Sequence, residues 1–120
     1  MVLDSSGWFE VFGATQRAPL YPAAAANPAG LIVPVITLYE VDKTLHRIRD
    51  AAIASRAAAY MQQGEVVELG ADLCFSAADN GLLFAVSLIY ATAQAHGATP
   101  WTQNAQFDGL PGVRYLAKKT

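Results

Sequence analysis

Short apolar runs of strand length alternate with longer stretches of helical periodicity along all 120 residues. That alternation leaves few folds open, because strands separated by helical segments pair in parallel and pack those helices onto a sheet. The pattern predicts strands near Val2 to Leu3, Leu31 to Ile36, Glu65 to Leu69, Thr99 to Thr102 and Val113 to Leu116. Helices are expected to begin around Ser6, to run through the alanines at 23–26, and to occupy most of Leu38 to Gln62, Ala71 to Ala78 and Phe84 to Ala95. Asn27-Pro28-Ala29-Gly30, Gly64, Gly70, Asn80-Gly81 and Gly97 punctuate them, and no internal repeat or long linker interrupts the series.

A chain of this length forms one domain, 1–120, and a hydrophobic share of 53% against 15% charged is enough to fill its core. No apolar run reaches membrane-span length and no basic-then-apolar leader opens the chain, so a cytoplasmic protein without a membrane partner is expected. Cys74 has neither a second cysteine nor a clustered histidine and reads as core. The net charge of −2 excludes a protein that holds nucleic acid mainly by bulk electrostatics. Lys43, Arg47, Arg49 and Arg56 nevertheless share one helical stretch with His46. With Asp42 and Asp50 interleaved, a solvated face is the simpler reading and a phosphate-contacting patch the alternative. Lys118 and Lys119 read as a solubilising tail. Trp8, Tyr39, Tyr60 and Tyr90 fit core or dimer packing, and His96 before Gly97 suits a helix C-terminus.

In an open parallel sheet, ligands bind beyond the carboxyl ends of the strands, near the point where strand order reverses. Asp4 follows the first strand, Glu40 the second and Asn104 the fourth, so three oxygen-bearing side chains are placed toward one rim. Magnesium suits such a rim, since it prefers oxygen ligands and is typically held by one or two carboxylates together with waters and substrate phosphate. Each residue also has a purely structural reading. Thr37-Leu38-Tyr39-Glu40 has capping-box spacing, and Asp4, Ser5 and Ser6 are suited to cap the helix carrying Trp8 and Phe9.

Four segments taken together are more specific: Val2-Leu3-Asp4-Ser5-Ser6, Ile36-Thr37-Leu38-Tyr39-Glu40, Phe84-Ala85-Val86-Ser87-Leu88 and Trp101-Thr102-Gln103-Asn104, followed by the closing Phe107-Asp108-Gly109-Leu110-Pro111-Gly112-Val113. In this order and spacing they resemble the PIN domain, and in particular the VapC-type toxins of toxin–antitoxin pairs, across nearly the whole chain. The resemblance implies a three-layer α/β/α sandwich with a central, mostly parallel sheet of about five strands. It implies a Mg2+- or Mn2+-dependent endoribonuclease with Asp4 and Glu40 as metal ligands, Asn104 as a weak third catalytic position, and Ser6 and Thr102 in support. A homodimer, a cognate antitoxin and an RNA substrate are the partners it implies.

Two positions depart from the pattern. Val86 and Asn104 stand where the family carries aspartates. At an effective dielectric of about 20 and a separation of about 5 Å, each lost charge removes roughly 3 kcal/mol of attraction for a cation, before screening. Asn104 keeps a neutral oxygen, whereas Val86 keeps none. Asp79 and Asp108 are poorly placed to compensate, the first about 10 Å along a helix axis from position 86 and the second in an Asp-Gly turn. An attenuated site that binds its ion weakly is expected, with a silent PIN-fold binding module as the alternative. Pro100 is a further anomaly, since proline cannot donate to a sheet ladder and belongs at a strand start, an edge or a bulge.

Overall fold

The computed structural model describes residues 1–21 and 26–117. Strand β1 (Val2–Leu3) pairs in parallel with β4 (Pro100–Thr102), and β4 with β5 (Arg114–Tyr115). A second parallel ladder joins β2 (Ile32–Pro34) to β3 (Glu65–Val67). The Ile32 N–H donates to the Met1 carbonyl at 3.0 Å and sets β2 beside β1. The strand order is therefore β3-β2-β1-β4-β5, and the winding reverses between β1 and β4.

Alternation along the strands assigns the helices to two faces, because successive side chains point to opposite sides of a sheet. Leu3 and Val33 pack with Trp8, Tyr21, Val41, Leu45, Ala54, Ala57 and Met61 in one cluster. That cluster joins the sheet to α1 (Ser5–Phe12), α2 (Val35–Ile48) and α3 (Ala51–Met61). Val2, with Ile32 packed against it, faces the other way, onto Val86, Ile89, Tyr90 and Ala93 of α5 (Phe84–Ala95). Helix α4 (Ala71–Asp79) covers α5 through Ala77, Leu88 and Ala91. The result is the expected three-layer α/β/α sandwich. Covered by the sheet and α4 together, α5 is buried at every position from Val86 to Ala93, as an all-round apolar helix must be.

Several boundaries differ from the sequence pattern. The second strand ends at Pro34 rather than Ile36, and Val35 and Ile36 already belong to α2. Pro34 is extended, with φ −60° and ψ 136°, and caps the helix: proline restrains the residue before it to extended backbone yet suits a helix entry. The single helix expected over Leu38 to Gln62 is broken at Arg49 and Asp50. Asp50 takes an extended backbone and its carboxylate accepts from the Ile53 N–H at 2.8 Å, which starts α3 as a new helix. The strands also run shorter than expected, β3 stopping at Val67 and β5 covering Arg114–Tyr115.

Cys74 is exposed, not core: α4 turns Leu73 and Ala77, four residues apart, inward and leaves Cys74 and Phe75 outside. Trp8 and Tyr90 are buried, but Tyr39 is 51% exposed and does not serve the core. Pro100 begins β4, and the Thr99 carbonyl before it accepts from the Val2 N–H at 3.0 Å, so the missing donor falls at the strand start even though β4 is internal. His96 ends α5, its Nδ1 3.0 Å from the Thr92 carbonyl. The helix expected through the alanines falls largely on residues 22–25, and Lys118 and Lys119 on residues 118–120, all outside the described residues. Among the described residues no single helix is long and apolar enough to cross a membrane.

Candidate active site

Asp4 stands where β1 ends and α1 begins, at the reversal of strand order, and is 4% exposed. A carboxylate that far from water needs donors. Its Oδ1 accepts from the Ser6 hydroxyl at 2.7 Å and from the Gly7 N–H at 3.1 Å, and its Oδ2 from the fully buried Thr102 hydroxyl at 2.6 Å. The capping reading is thus realised, since Asp4 is the N-cap of α1. Thr102 adds what capping does not require, a link between the carboxyl ends of β1 and β4. Its oxygen also accepts from the Asn104 N–H at 2.9 Å, fixing the loop that leaves β4. Gly7 is needed at this point because a Cβ there would lie 2.9 Å from Cε1 of Tyr21, whose ring closes over the start of α1.

Glu40 lies in the second turn of α2, and the capping box that its spacing from Thr37 offers as the alternative reading does not form. The helix starts two residues before Thr37, so that residue is inside the first turn and caps nothing. The Thr37 hydroxyl and Glu40 Oε1 are both buried without a hydrogen-bond partner among the described residues. Burial, and then the negative charge of Asp4, raise the Glu40 pKa above the ordinary carboxylate range. Two carboxylates therefore share a neighbourhood, and no basic side chain among the described residues pairs with either. A buried oxygen left unpaired opposite a second carboxylate is open to a partner from outside the chain, be it water, an ion or a ligand.

The remaining two positions are less receptive. Asn104 is half-buried and its Oδ1 accepts from the Gln106 N–H at 3.0 Å, capping the short turn Ala105–Phe107. Val86 is 6% exposed and packs with Val2, Ile89, Tyr90, Ala93 and Phe107, with Ile32 and Ile36 alongside. It fills the space beside β1 and the first turn of α2 with hydrocarbon. No group of three or more His, Cys, Asp or Glu side chains gathers anywhere among the described residues. Asp79 and Asp108 are exposed, and neither joins the site.

Three supporting residues are invisible to local pattern. Arg17 donates through Nε to Gln103 Oε1 at 2.6 Å and through Nη2 to the Leu116 carbonyl at 2.9 Å, tying the loop after α1 to β4 and to the chain beyond β5. Gln103, between Thr102 and Asn104, is buried by that contact. The buried phenol of Tyr21 is pushed up to about 12, by burial first and by Asp4 second, with Arg17 opposing, so it remains protonated. A sequence signal for these pairings was absent, because 86 residues separate Arg17 from Gln103. A groove of about 460 Å³ opens beside Glu40, lined by Ile36, Tyr39, Lys43, Thr44, Arg47 and Phe84.

Neither a protein-family profile nor a curated protein sequence matches the chain. Solved structures do match. A toxin–antitoxin complex from Klebsiella pneumoniae aligns at a TM-score of 0.77 with 22% identity, covering 93% of each chain. VapC20 from Mycobacterium tuberculosis, a sarcin–ricin loop cleaving toxin, aligns at 0.76 with 18% identity over 94% of this chain and 96% of that one. The DNA-bound VapBC of Salmonella typhimurium aligns at 0.71 with 15% identity, over 97% and 96%. The sandwich with its parallel sheet is thus the PIN-domain fold. Its structural neighbours are VapC and VapBC toxin–antitoxin structures.

Proposed function

We propose that this chain is a cytoplasmic, single-domain VapC-type toxin, a metal-dependent endoribonuclease whose cleavage is attenuated by Val86 and Asn104. The observation that carries the reading is Asp4, buried at the reversal of strand order on three donors, with the unpaired Glu40 oxygen in its electrostatic reach. Asp4 and Glu40 are the ligands for Mg2+ or Mn2+, an ion that uses few protein carboxylates and completes its shell with water and phosphate. When bound, it supplies a nucleophilic water and neutralises charge on the scissile phosphate. Ser6 and Thr102 hold the Asp4 carboxylate in one orientation, and Asn104 offers a neutral oxygen on the same rim once it leaves the Gln106 N–H. Val86 offers no donor and keeps its side of the site dry.

A second reading is favoured by that same dryness: a silent binding module that keeps the fold, dimerises and holds an antitoxin. An apolar groove of about 440 Å³, lined by Val11, Phe12, Leu45, Ile53, Ala57 and Tyr60 and edged by Arg56, suits an amphipathic antitoxin segment. Phe75 and Leu83, 72% and 68% exposed, supply apolar surface for self-association. Cleavage of RNA in magnesium and then manganese by the chain and by Val86→Asp/Asn104→Asp, with Asp4→Ala as control, separates the readings. The attenuated nuclease predicts weak cleavage that Asp4→Ala abolishes and the double variant raises by at least tenfold. Cleavage by neither protein, with antitoxin still bound, selects the module.

A further inference from the structure

We infer that the groove beside Glu40 is a subsite for single-stranded RNA, with Lys43 and Arg47 holding phosphate and Phe84 stacking a base; naming RNA rests on the nuclease reading. Ile36, Glu40, Lys43, Thr44 and Arg47 follow one another at helical spacing and form a single stripe of α2, opposite Phe84 at the first position of α5.

The charges on this stripe are not the neutralised set that the interleaved acids suggest. Asp42 is on the neighbouring stripe, where it lines a separate hollow with Val35, Leu38 and Gln62 and lies 3.5 Å from His46. Asp50 is committed to capping α3. Among the described residues neither Lys43 nor Arg47 is paired with a carboxylate, although both are exposed. Lys43 instead hangs over the Tyr39 ring, 5.5 Å from its centroid. Two unpaired cations leading away from a candidate metal ligand suit a polyanion whose scissile phosphate sits at that ligand.

The aromatic wall narrows the polyanion to one with free base faces. Phe84 is 75% exposed and Tyr39 51%, and both line the groove. Phenylalanine has no hydrogen bond to give, so an exposed ring on the lip of a cationic groove is suited to stacking, which is sequence-tolerant. An A-form duplex hides its base faces inside the helix, whereas an unpaired strand presents them.

The test is binding without cleavage: a fluorescein-labelled, mixed-sequence 12-nucleotide RNA titrated in EDTA at several salt concentrations, against its blunt duplex and a 12-residue polyglutamate peptide. The unaltered chain is expected to prefer the single strand. Lys43→Gln/Arg47→Gln should weaken binding at least tenfold and flatten the salt dependence by about 1.4, or roughly 0.7 for each lost phosphate contact. Phe84→Ala should weaken binding about tenfold and leave the salt slope unchanged. Arg47→Lys, which keeps the charge, should retain the slope. No binding, unchanged binding in these variants, or equal affinity for the duplex overturns the subsite; preference for polyglutamate overturns it in favour of an acidic protein partner. The restored-acid cleavage test is independent: binding as described without any cleavage leaves the subsite standing and removes the nuclease.

Discussion

Thr102→Val isolates the contact that joins the two halves of the sheet at the candidate site. Valine matches threonine in shape, so the change removes an oxygen from a fully buried position without opening a cavity. Two interactions go with it: donation to Asp4 Oδ2 at 2.6 Å and acceptance from the Asn104 N–H at 2.9 Å. A hydrogen bond to a charged group contributes about 1.5–3 kcal/mol, and an ordinary one about 1 kcal/mol. The second loss is partly recovered by water, because Asn104 is only half-buried. A destabilisation of about 2–4 kcal/mol follows. Thr102→Ser keeps the oxygen and loses a methyl, and should cost about 1 kcal/mol.

Urea unfolding in EDTA reads both variants. With a slope of about 2 kcal/mol per molar, Thr102→Val should lower the midpoint by about 1–2 M and Thr102→Ser by about 0.5 M. A double-mutant cycle with Asp4→Asn assigns the loss to its partner, and a coupling of at least about 1 kcal/mol is expected between positions in direct contact. Should Thr102→Val cost no more than Thr102→Ser, or couple to Asp4→Asn by less than about 0.5 kcal/mol, the hydroxyl is not what holds Asp4 and the site is assembled some other way.

Glu40→Gln should stabilise the metal-free protein at neutral pH. Because the folded Glu40 pKa is raised above 4.5, the folded state holds its proton more tightly than the unfolded chain, and stability falls as pH rises from that value through the raised one. Melting curves in EDTA from pH 4 to pH 8 should show the two proteins alike at the acid end and the Gln variant ahead at the neutral end; a constant gap would contradict the assignment. The two acid restorations should differ sharply in their effect on stability. Val86→Asp places a carboxylate in an apolar cluster and should cost about 3 kcal/mol or more in EDTA, whereas Asn104→Asp exchanges one good capping residue for another and should cost less than about 1 kcal/mol by urea unfolding.

What was legible in the sequence was what local chemistry dictates. Val2-Leu3-Asp4-Ser5-Ser6 carries a strand, an N-cap and the hydroxyl that orients it within five residues, and all three appear as written. The alternative capping reading at Glu40 failed for a local reason as well. Thr37-x-x-Glu40 matches a capping box, but Pro34 starts the helix earlier and leaves the Thr37 hydroxyl and Glu40 Oε1 buried without a hydrogen-bond partner among the described residues. The broken helix was readable in principle, since Asp50-Ala51-Ala52-Ile53 is a helix-start signal, and it was masked by apolar periodicity continuing through Ile48 and Ile53. Cys74 misled because burial was inferred from residue type, when the face of α4 decides it. Nothing local announces that Arg17 reaches Gln103, or that Phe84 stands across a groove from α2.

The sequence already separates Val86 from Asn104 by the oxygen that Asn104 alone keeps, and the fold widens that difference. Around Asp4 the polar support is complete and neutral: two hydroxyls and an amide hold the carboxylate without cancelling its charge. A rim of this kind remains open to a cation, and Asn104 on the adjoining loop still carries an oxygen. On the α5 side Val86 packs in one apolar cluster with Val2 of β1 and Ile36 of α2, so that flank of the candidate site is core. An acid placed at that position must displace packing before it can meet a metal, whereas one at position 104 need only release a backbone amide. Position 104 is thus where the proposed active site takes an acid at least cost, and position 86 is where packing resists one.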